Sequence, residues 1–216
     1  MEKSEHVYVL HQFEQRTEEW RAIRLGRVGG SEAIGLTTPA RMKSMIPLKL
    51  AEMLTGEDQG DDFVSAAMQQ GIDNEPLVCE EYEKREFVEL SHNGYVENKS
   101  YKYLGISPDG LVFNEDWSKP VGAIEIKCPQ PKAHIACILE GKVPATYRPQ
   151  IAHLFFVIKH IEWVDFISYN AKITTMPYYK IRVTRADYES EINRIEKGYT
   201  AYESEIEAGL KKLKQL

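Results

Sequence analysis

One short stretch constrains the fold more than any other. It is Ser107-Pro-Asp-Gly110, followed after a polar turn by Ala123-Ile-Glu-Ile-Lys-Cys-Pro129. A Pro/Gly turn delivers Asp109 into an apolar run ending at Phe113, and a second run extends from Val121 to Cys128. With Asn114 to Pro120 as the connection, the two runs read as a β-hairpin. Side chains two apart on a strand share a face, so Glu125 and Lys127 project together while Ile124 and Ile126 pack the other way. Two carboxylates and an amine gathered where a sheet opens suit a hard divalent cation with a charged helper. That is the chemistry of a metal-dependent phosphodiesterase.

An Asp followed at a variable gap by Glu-x-Lys also arises by chance in a charged chain. This sequence carries such a decoy in Glu97-Asn98-Lys99, with Asp73 upstream. The decoy reads as a polar loop with no flanking aliphatics, whereas Glu125 and Lys127 alternate with isoleucines. Charges in a core strand are costly unless paired or bound to metal. On the hairpin alone, a structural Glu–Lys pair and a metal site stand level.

The chain has 216 residues, enough for one full-sized core, and is read as a single domain over 1–216. No apolar stretch approaches a membrane span, and Met-Glu-Lys-Ser-Glu-His at the start lacks the apolar core of a signal peptide. Three cysteines, Cys79, Cys128 and Cys137, fit free thiols in a reducing cytoplasm and fall short of an iron–sulfur set. Net charge is −6, and seven carboxylates lie between Asp187 and Glu207. Nonspecific affinity for nucleic acid comes from Lys and Arg neutralising phosphates. A chain this acidic is therefore no general DNA-coating protein. It can hold DNA only in a local cleft or in a ring shared between subunits.

The pattern along the chain predicts a helix over 12–26 and then a Gly29-Gly30 turn with Ser31 capping a short helix. Further helices are expected at 47–55, ending at Gly56, and at 63–85, interrupted near Gly71 and Pro76. Strands are expected near 86–90, 94–98, 109–113 and 121–128. An apolar helix over 149–160, strands over 163–169 and 178–183, and a final helix over about 185–216 capped by Thr184 complete the chain. That last helix places Tyr188, Ile192, Ile195, Tyr199, Tyr202, Ile206, Leu210 and Leu213 at spacings of three and four. Gly198 and Gly209 weaken it in isolation, which favours packing on the domain over a coiled coil. The expected class is α/β (α+β) in three layers.

Other groups have chemistry suited to the same pocket. Glu75 lies beside Pro76 in a helix lined with Leu, Val and Cys, and Gln150 begins the helix after the Glu-x-Lys strand. Arg24 and Ser31 flank Val28-Gly-Gly30 and can form an anion cradle, since glycines admit close backbone approach and Arg offers a fork to phosphate. Each alone has a plain alternative as a solvated Glu, a helix cap or a capped turn.

Taken in order, Trp20-x-x-x-Arg24-Leu-Gly26, Gly30-Ser-Glu32, Gly71-x-x-x-Glu75, Ser107-Pro-Asp-Gly110, Glu125-Ile-Lys-Cys-Pro129 and Gln150 resemble the phage lambda exonuclease family of YqaJ-type viral recombination nucleases. The resemblance runs from about Trp20 to Gln150. It implies a restriction-endonuclease-like PD-(D/E)xK core with a central mixed sheet flanked by helices. It further implies two Mg²⁺ ions, with Mn²⁺ as a substitute, held by Asp109, Glu125 and the carbonyl of Ile126, and Lys127 acting on the attacking water. Glu75 and Gln150 would hold metal-bound water and the scissile phosphate, and Arg24 and Ser31 the 5′-phosphate, with Ser107 beside them. Counting from these anchors puts Arg41 in a DNA-contacting loop and Met68 at an apolar wedge. The expected activity is 5′→3′ digestion of one strand of duplex DNA, leaving a 3′ tail. The expected partners are a 5′-phosphorylated duplex end, a single-strand annealing protein and two further copies in a homotrimeric ring. The setting implied is the bacterial cytoplasm, with phage or prophage origin. Two glycines before Ser31, where the family more often has bulkier residues, are a departure. Two alternatives remain: a repair or restriction endonuclease of the same fold, and a non-catalytic DNA-binding subunit.

Overall fold

Alternation along the Glu-x-Lys strand divides the interior into two cores, one on each face of a mixed sheet. The computed structural model describes residues 8–60, 65–92 and 94–215. Five strands form the main sheet: β2 (Leu90–Ser91), β5 (Gly110–Phe113), β6 (Pro120–Lys127), β7 (Trp163–Tyr169) and β8 (Tyr178–Thr184), side by side in that order. The β6–β7 pair is parallel and the rest antiparallel. The predicted hairpin is β5–β6, with Gly110 opposite Ile124. A smaller antiparallel sheet joins β1 (Tyr8–His11), β3 (Tyr95–Asn98) and β4 (Gly105–Ile106).

Ile124 and Ile126 pack with Ile167, Val78, Cys79 and Tyr82 under helix α4 (Ala66–Glu86). Ala123, Leu111 and Phe166 belong to the larger core on the other face, with the apolar helix α6 (Arg148–Val157) and the long C-terminal helix α7 (Glu189–Leu213). The helices α1 (Glu18–Arg24), α2 (Ile34–Thr37) and α3 (Pro39–Thr55) and the crossover helix α5 (Pro131–Glu140) complete the chain. The α/β class with helices flanking a mixed sheet stands as expected.

Several boundaries differ from the sequence reading. Helix α1 is only the second half of the predicted 12–26 segment, because Thr17 accepts from Trp20 N–H and starts the helix there. Helix α3 begins eight residues before Pro47. Met42, Met45, Ile46, Leu50 and Met53 form one apolar face across that proline, and their packing outweighs the lost hydrogen bond. Helix α4 likewise runs through Gly71 and Pro76, with Val78, Cys79 and Tyr82 seated on the sheet beyond them. The expected start of that helix at 63 lies outside the described residues. Ser31 caps nothing: it sits inside a 3-10 turn, Gly30–Glu32. The expected strand at 86–90 shrinks to β2, after Phe87 turns left-handed at φ 55°.

The C-terminal helix lies on the domain, with Tyr188, Ile195, Tyr199, Tyr202 and Ile206 buried in the core. Its glycines are contact points. A Cβ at Gly198 would stand 1.8 Å from the Leu36 carbonyl oxygen, and one at Gly209 2.6 Å from Leu50. Thr184 does not cap α7: the N-cap is Tyr188, and a 3-10 turn, Ala186–Tyr188, lies between Thr184 and the helix. The Thr184 backbone and hydroxyl donate to the Asp187 carboxylate, and Asp187 N–H lies 3.4 Å from the hydroxyl.

Candidate active site

The turn before β5 and the end of β6 bring the two carboxylates together through the main chain. Asp109 accepts a 2.6 Å hydrogen bond from the Ile126 N–H, which seats it beside the Glu125-Ile-Lys127 segment. Glu125 is 1 % exposed, and among the described residues its carboxylate oxygens find no partner but Lys127. Its contact is an ion pair with Lys127, whose ammonium also lies 5.6 Å from the Tyr147 ring centre. Burial pushes Glu125 up to about 7, against the pull of Lys127 and with Asp109 adding to it. Burial also raises Asp109, and it raises Glu75 with help from the Asp109 charge. At Lys127 burial opposes the charge, but Glu125 and Asp109 outweigh it and hold the ammonium protonated. Three carboxylates that repel one another, with one amine among them, are a destabilised set that a cation would neutralise.

The residues fit a hard divalent cation. Asp109, Glu125 and the Ile126 carbonyl are oxygen donors, and the Glu125 oxygens are buried without another partner. Among the described residues no three Asp, Glu, His or Cys side chains form a ready-made cage. Mg²⁺ does not need one, since it keeps several waters and is held through one or two carboxylates plus substrate oxygens.

A pocket of about 630 Å³ opens over Asp109 and Lys127 and extends to the N-terminal motif, while Glu125 and Glu75 are not part of its wall. Its wall includes Asp109, Ile126, Lys127 and Gln150, and also Trp20, Arg24, Gly29, Gly30, Ser31 and Ser107. The two halves are physically tied. The Arg24 guanidinium lies 3.9 Å above the Trp20 ring, and the Trp20 indole N–H donates to the Ser107 hydroxyl at 2.7 Å. Ser107 stands two residues before Asp109, so one aromatic links the guanidinium to the carboxylate turn. The second of the two glycines before Ser31 also gains a reason: a Cβ at Gly30 would lie 3.2 Å from Gln150 Cγ and Ile106. Glycine lets Gln150 approach the loop.

Met68 lines the rim in the first turn of α4 and is 57 % exposed. Glu75 stands deeper on that helix and pairs with Arg16 at 3.5 Å. Arg41 does not line the pocket and is not in a loop. It occupies the first turn of α3, exposed, because that helix starts at Pro39. The decoy is also placed differently from expectation: Glu97 and Asn98 lie in β3, where Glu97 pairs with Arg27 and His11. Asn98 donates to the Val157 carbonyl, so neither residue is available for a site.

Sequence reasoning missed Arg16 and Tyr147. Arg16 falls in a stretch read as helix, but it adopts a left-handed turn at φ 71°, and its neighbour Gln15 donates to the Pro108 carbonyl. Nothing in the pattern marks it. Tyr147 was detectable only as the aromatic immediately before the Arg-Pro start of α6.

Residues 19–160 match the model of the YqaJ-like viral recombinase domain. Among solved structures, the chain is similar to the alkaline exonuclease LHK-Exo from Laribacter hongkongensis at 32 % identity and a TM-score of 0.80. The match covers 92 % of this chain and 97 % of that one. The dAMP complex of LHK-Exo matches over the same shares at 32 % identity, with a TM-score of 0.81. A phage-related exonuclease from Haemophilus somnus 129PT shares the fold at 12 % identity and a TM-score of 0.59, over 87 % of this chain and 96 % of that one. Comparison with curated protein sequences returned no match. No helix among the described residues is long and apolar enough to cross a membrane. With a hairpin that joins Asp109 to Glu125 and Lys127, and a family match spanning most of its length, the chain belongs to the YqaJ-like viral recombinase family, nucleases of lambda-exonuclease type.

Proposed function

We propose that this chain is a Mg²⁺-dependent exonuclease that digests one strand of linear duplex DNA from a 5′-phosphorylated end. It works 5′→3′, releases mononucleotides and leaves a 3′ single-stranded tail for strand annealing. The observation that carries the reading is the shared pocket: Asp109 and Lys127 open into one space with Arg24, Ser31 and Gln150. An enzyme that cuts within a strand has no use for a terminal-phosphate cradle beside its carboxylates. LHK-Exo, to which the chain is similar, is an alkaline exonuclease that has been crystallised with a mononucleotide. Glu125, raised by burial to about 7, is fully ionised only on the alkaline side of neutrality when no cation is bound.

Asp109, Glu125 and the Ile126 carbonyl would hold the metal, which when bound lowers the pKa of an attacking water and offsets charge on the leaving oxygen. Lys127, kept protonated by Glu125 and Asp109, presents positive charge where the phosphate gains negative charge. Arg24 and Ser31 receive the 5′-phosphate, with Trp20 fixing the guanidinium plane. Gln150, pressed against Gly30, orients the strand between the two halves. Three copies in a ring would reconcile a net charge of −6 with DNA held in a central channel, and a single-strand annealing protein would take the tail at the outer face.

The test uses blunt linear duplex with and without a 5′-phosphate. Wild type should strongly prefer the phosphorylated end in Mg²⁺, and Arg24→Ala should lose that preference. Asp109→Asn should bind DNA yet lose cleavage, and Ca²⁺ should bind without turnover. Equal rates on both ends would favour an endonuclease, and near-normal rates in Asp109→Asn would remove the metal assignment. Sedimentation should give a closed trimer, and a monomer would refute the ring.

A further inference from the structure

The loop between Arg24 and Ser31 has few side chains with which to hold itself. Gly26, Gly29 and Gly30 offer nothing to pack, and Gly26 adopts a left-handed φ of 70°. Val28 is buried in the core and Arg27 pairs with Glu97, but the glycine positions themselves are set by main-chain hydrogen bonds. Val28 N–H donates to the Tyr103 carbonyl at 2.9 Å, which pins the middle. The two ends are held by carboxylates. Gly26 N–H donates to Glu52 at 2.8 Å, and Gly29 N–H donates to Glu32 at 2.9 Å.

Both carboxylates converge on one amine. Lys49 lies 2.9 Å from Glu32 and 3.1 Å from Glu52. Lys49 is 5 % exposed and Glu52 3 % exposed, so this is a buried charge bridge in α3, outside the pocket wall. A buried ion pair is weak support for stability, and an apolar replacement of equal volume often serves as well or better. Here an apolar replacement would leave two glycine N–H groups without acceptors and the loop without its end anchors. Burial raises the phenol of Tyr202 on α7, with Glu32 and Glu52 adding to the rise.

We propose that Lys49, with Glu32 and Glu52, positions the Gly26–Gly30 loop so that Arg24 and Ser31 can recognise a terminal phosphate. These three are positioning residues, and none touches substrate. Glu32 Oε2 and Arg24 Nη2 each lie 3.6 Å from where a Cβ of Gly29 would stand, so they flank the loop at that residue. Lys49 leaves the bridge with one net negative charge rather than two, which limits repulsion of an anion bound above it. The inference rests on the reading of Arg24 and Ser31 as a phosphate cradle.

The experiment measures kcat/KM on 5′-phosphate and 5′-hydroxyl duplex ends and takes their ratio, which a mere loss of folded enzyme leaves unmoved. Lys49→Met and Glu32→Ala should each lower the ratio about tenfold or more, as expected when a binding group is misplaced by a fraction of an ångström. Glu52→Gln, which keeps an oxygen for Gly26 N–H, should retain more of the ratio than Glu52→Leu. Should Lys49→Met fail to fold, the half-buried Glu32→Ala decides. A wild type that discriminates, with variants whose ratio is unchanged, overturns the positioning role alone. A wild type that does not discriminate overturns the cradle reading, and the inference with it.

Discussion

Glu125 gives the sharpest test of the electrostatics, because its strain is readable without any activity measurement. The carboxylate is buried, has Lys127 as its partner, and also faces the Asp109 charge. Its folded value of about 7 exceeds the ordinary 4.5, so the folded chain binds a proton there that the unfolded chain releases. The stabilising contribution is therefore complete below about pH 4.5 and is lost as pH rises through 7. That rise corresponds to about 3 kcal/mol at 1.36 kcal/mol per pH unit. In Glu125→Gln the residue no longer titrates. The stability of the variant relative to wild type should then improve by about 3 kcal/mol between pH 5 and pH 8.5, whatever its absolute value at either end.

The assay is urea denaturation of metal-free protein in chelator across that range, repeated with Mg²⁺ in excess. Magnesium should restore wild type at pH 8.5, because binding only the folded state adds stability by mass action, and it should leave the variant nearly unmoved. Parallel pH profiles for the two proteins in chelator would refute the reasoning. They would mean that Lys127 fully compensates the buried carboxylate and that the site has no unmet charge for a cation to satisfy.

Other perturbations follow from single contacts. Gly198→Ala places a Cβ 1.8 Å from the Leu36 carbonyl, so α7 must move off α2, and thermal unfolding should register a loss of about 3 kcal/mol. Gly30→Ala meets Gln150 at 3.2 Å and should cut kcat about tenfold with little change in melting temperature, as measured by nucleotide release and calorimetry. Met68→Ala removes an exposed rim side chain in the first turn of α4. It should slow digestion of blunt ends while sparing ends already frayed, as timed on matched substrates.

The hairpin was legible because its information is local. Period-two alternation and a Pro/Gly turn fix which side chains share a face, and β5–β6 pairs as those rules require. The small sheet was not fully legible, since β4 has two residues and β1 four, and their order comes from pairing with β3 across the chain. Helix α5 was overlooked entirely because the segment opens with Pro-Gln-Pro-Lys, which reads as a loop, although a proline in the first turn of a helix is well tolerated. The helix start expected at Pro47 and the interruption expected near Pro76 followed propensity, and tertiary packing overrode it at both. The decoy failed for a reason other than the expected one. Glu97 does sit in a strand, but Arg27 already occupies its charge.

Helix α4 shows how the fold makes these local rules serve one site. Its C-terminal half is clamped to the sheet, where the Tyr82 hydroxyl donates to buried Asp165 at 2.9 Å. Glu83 meanwhile accepts from Leu90 N–H at 2.7 Å. Asp165 is itself neutralised by a bidentate Arg182 with both contacts at 2.7 Å, and by Lys180 at 3.4 Å. A carboxylate that buried is tolerable only with such partners. The clamp explains why a helix carrying Gly71 and Pro76 stays in place. Its buried half holds the axis, so its N-terminal half reaches the pocket, with Met68 in the first turn and Glu75, in the middle of the helix, within reach of the Asp109 charge.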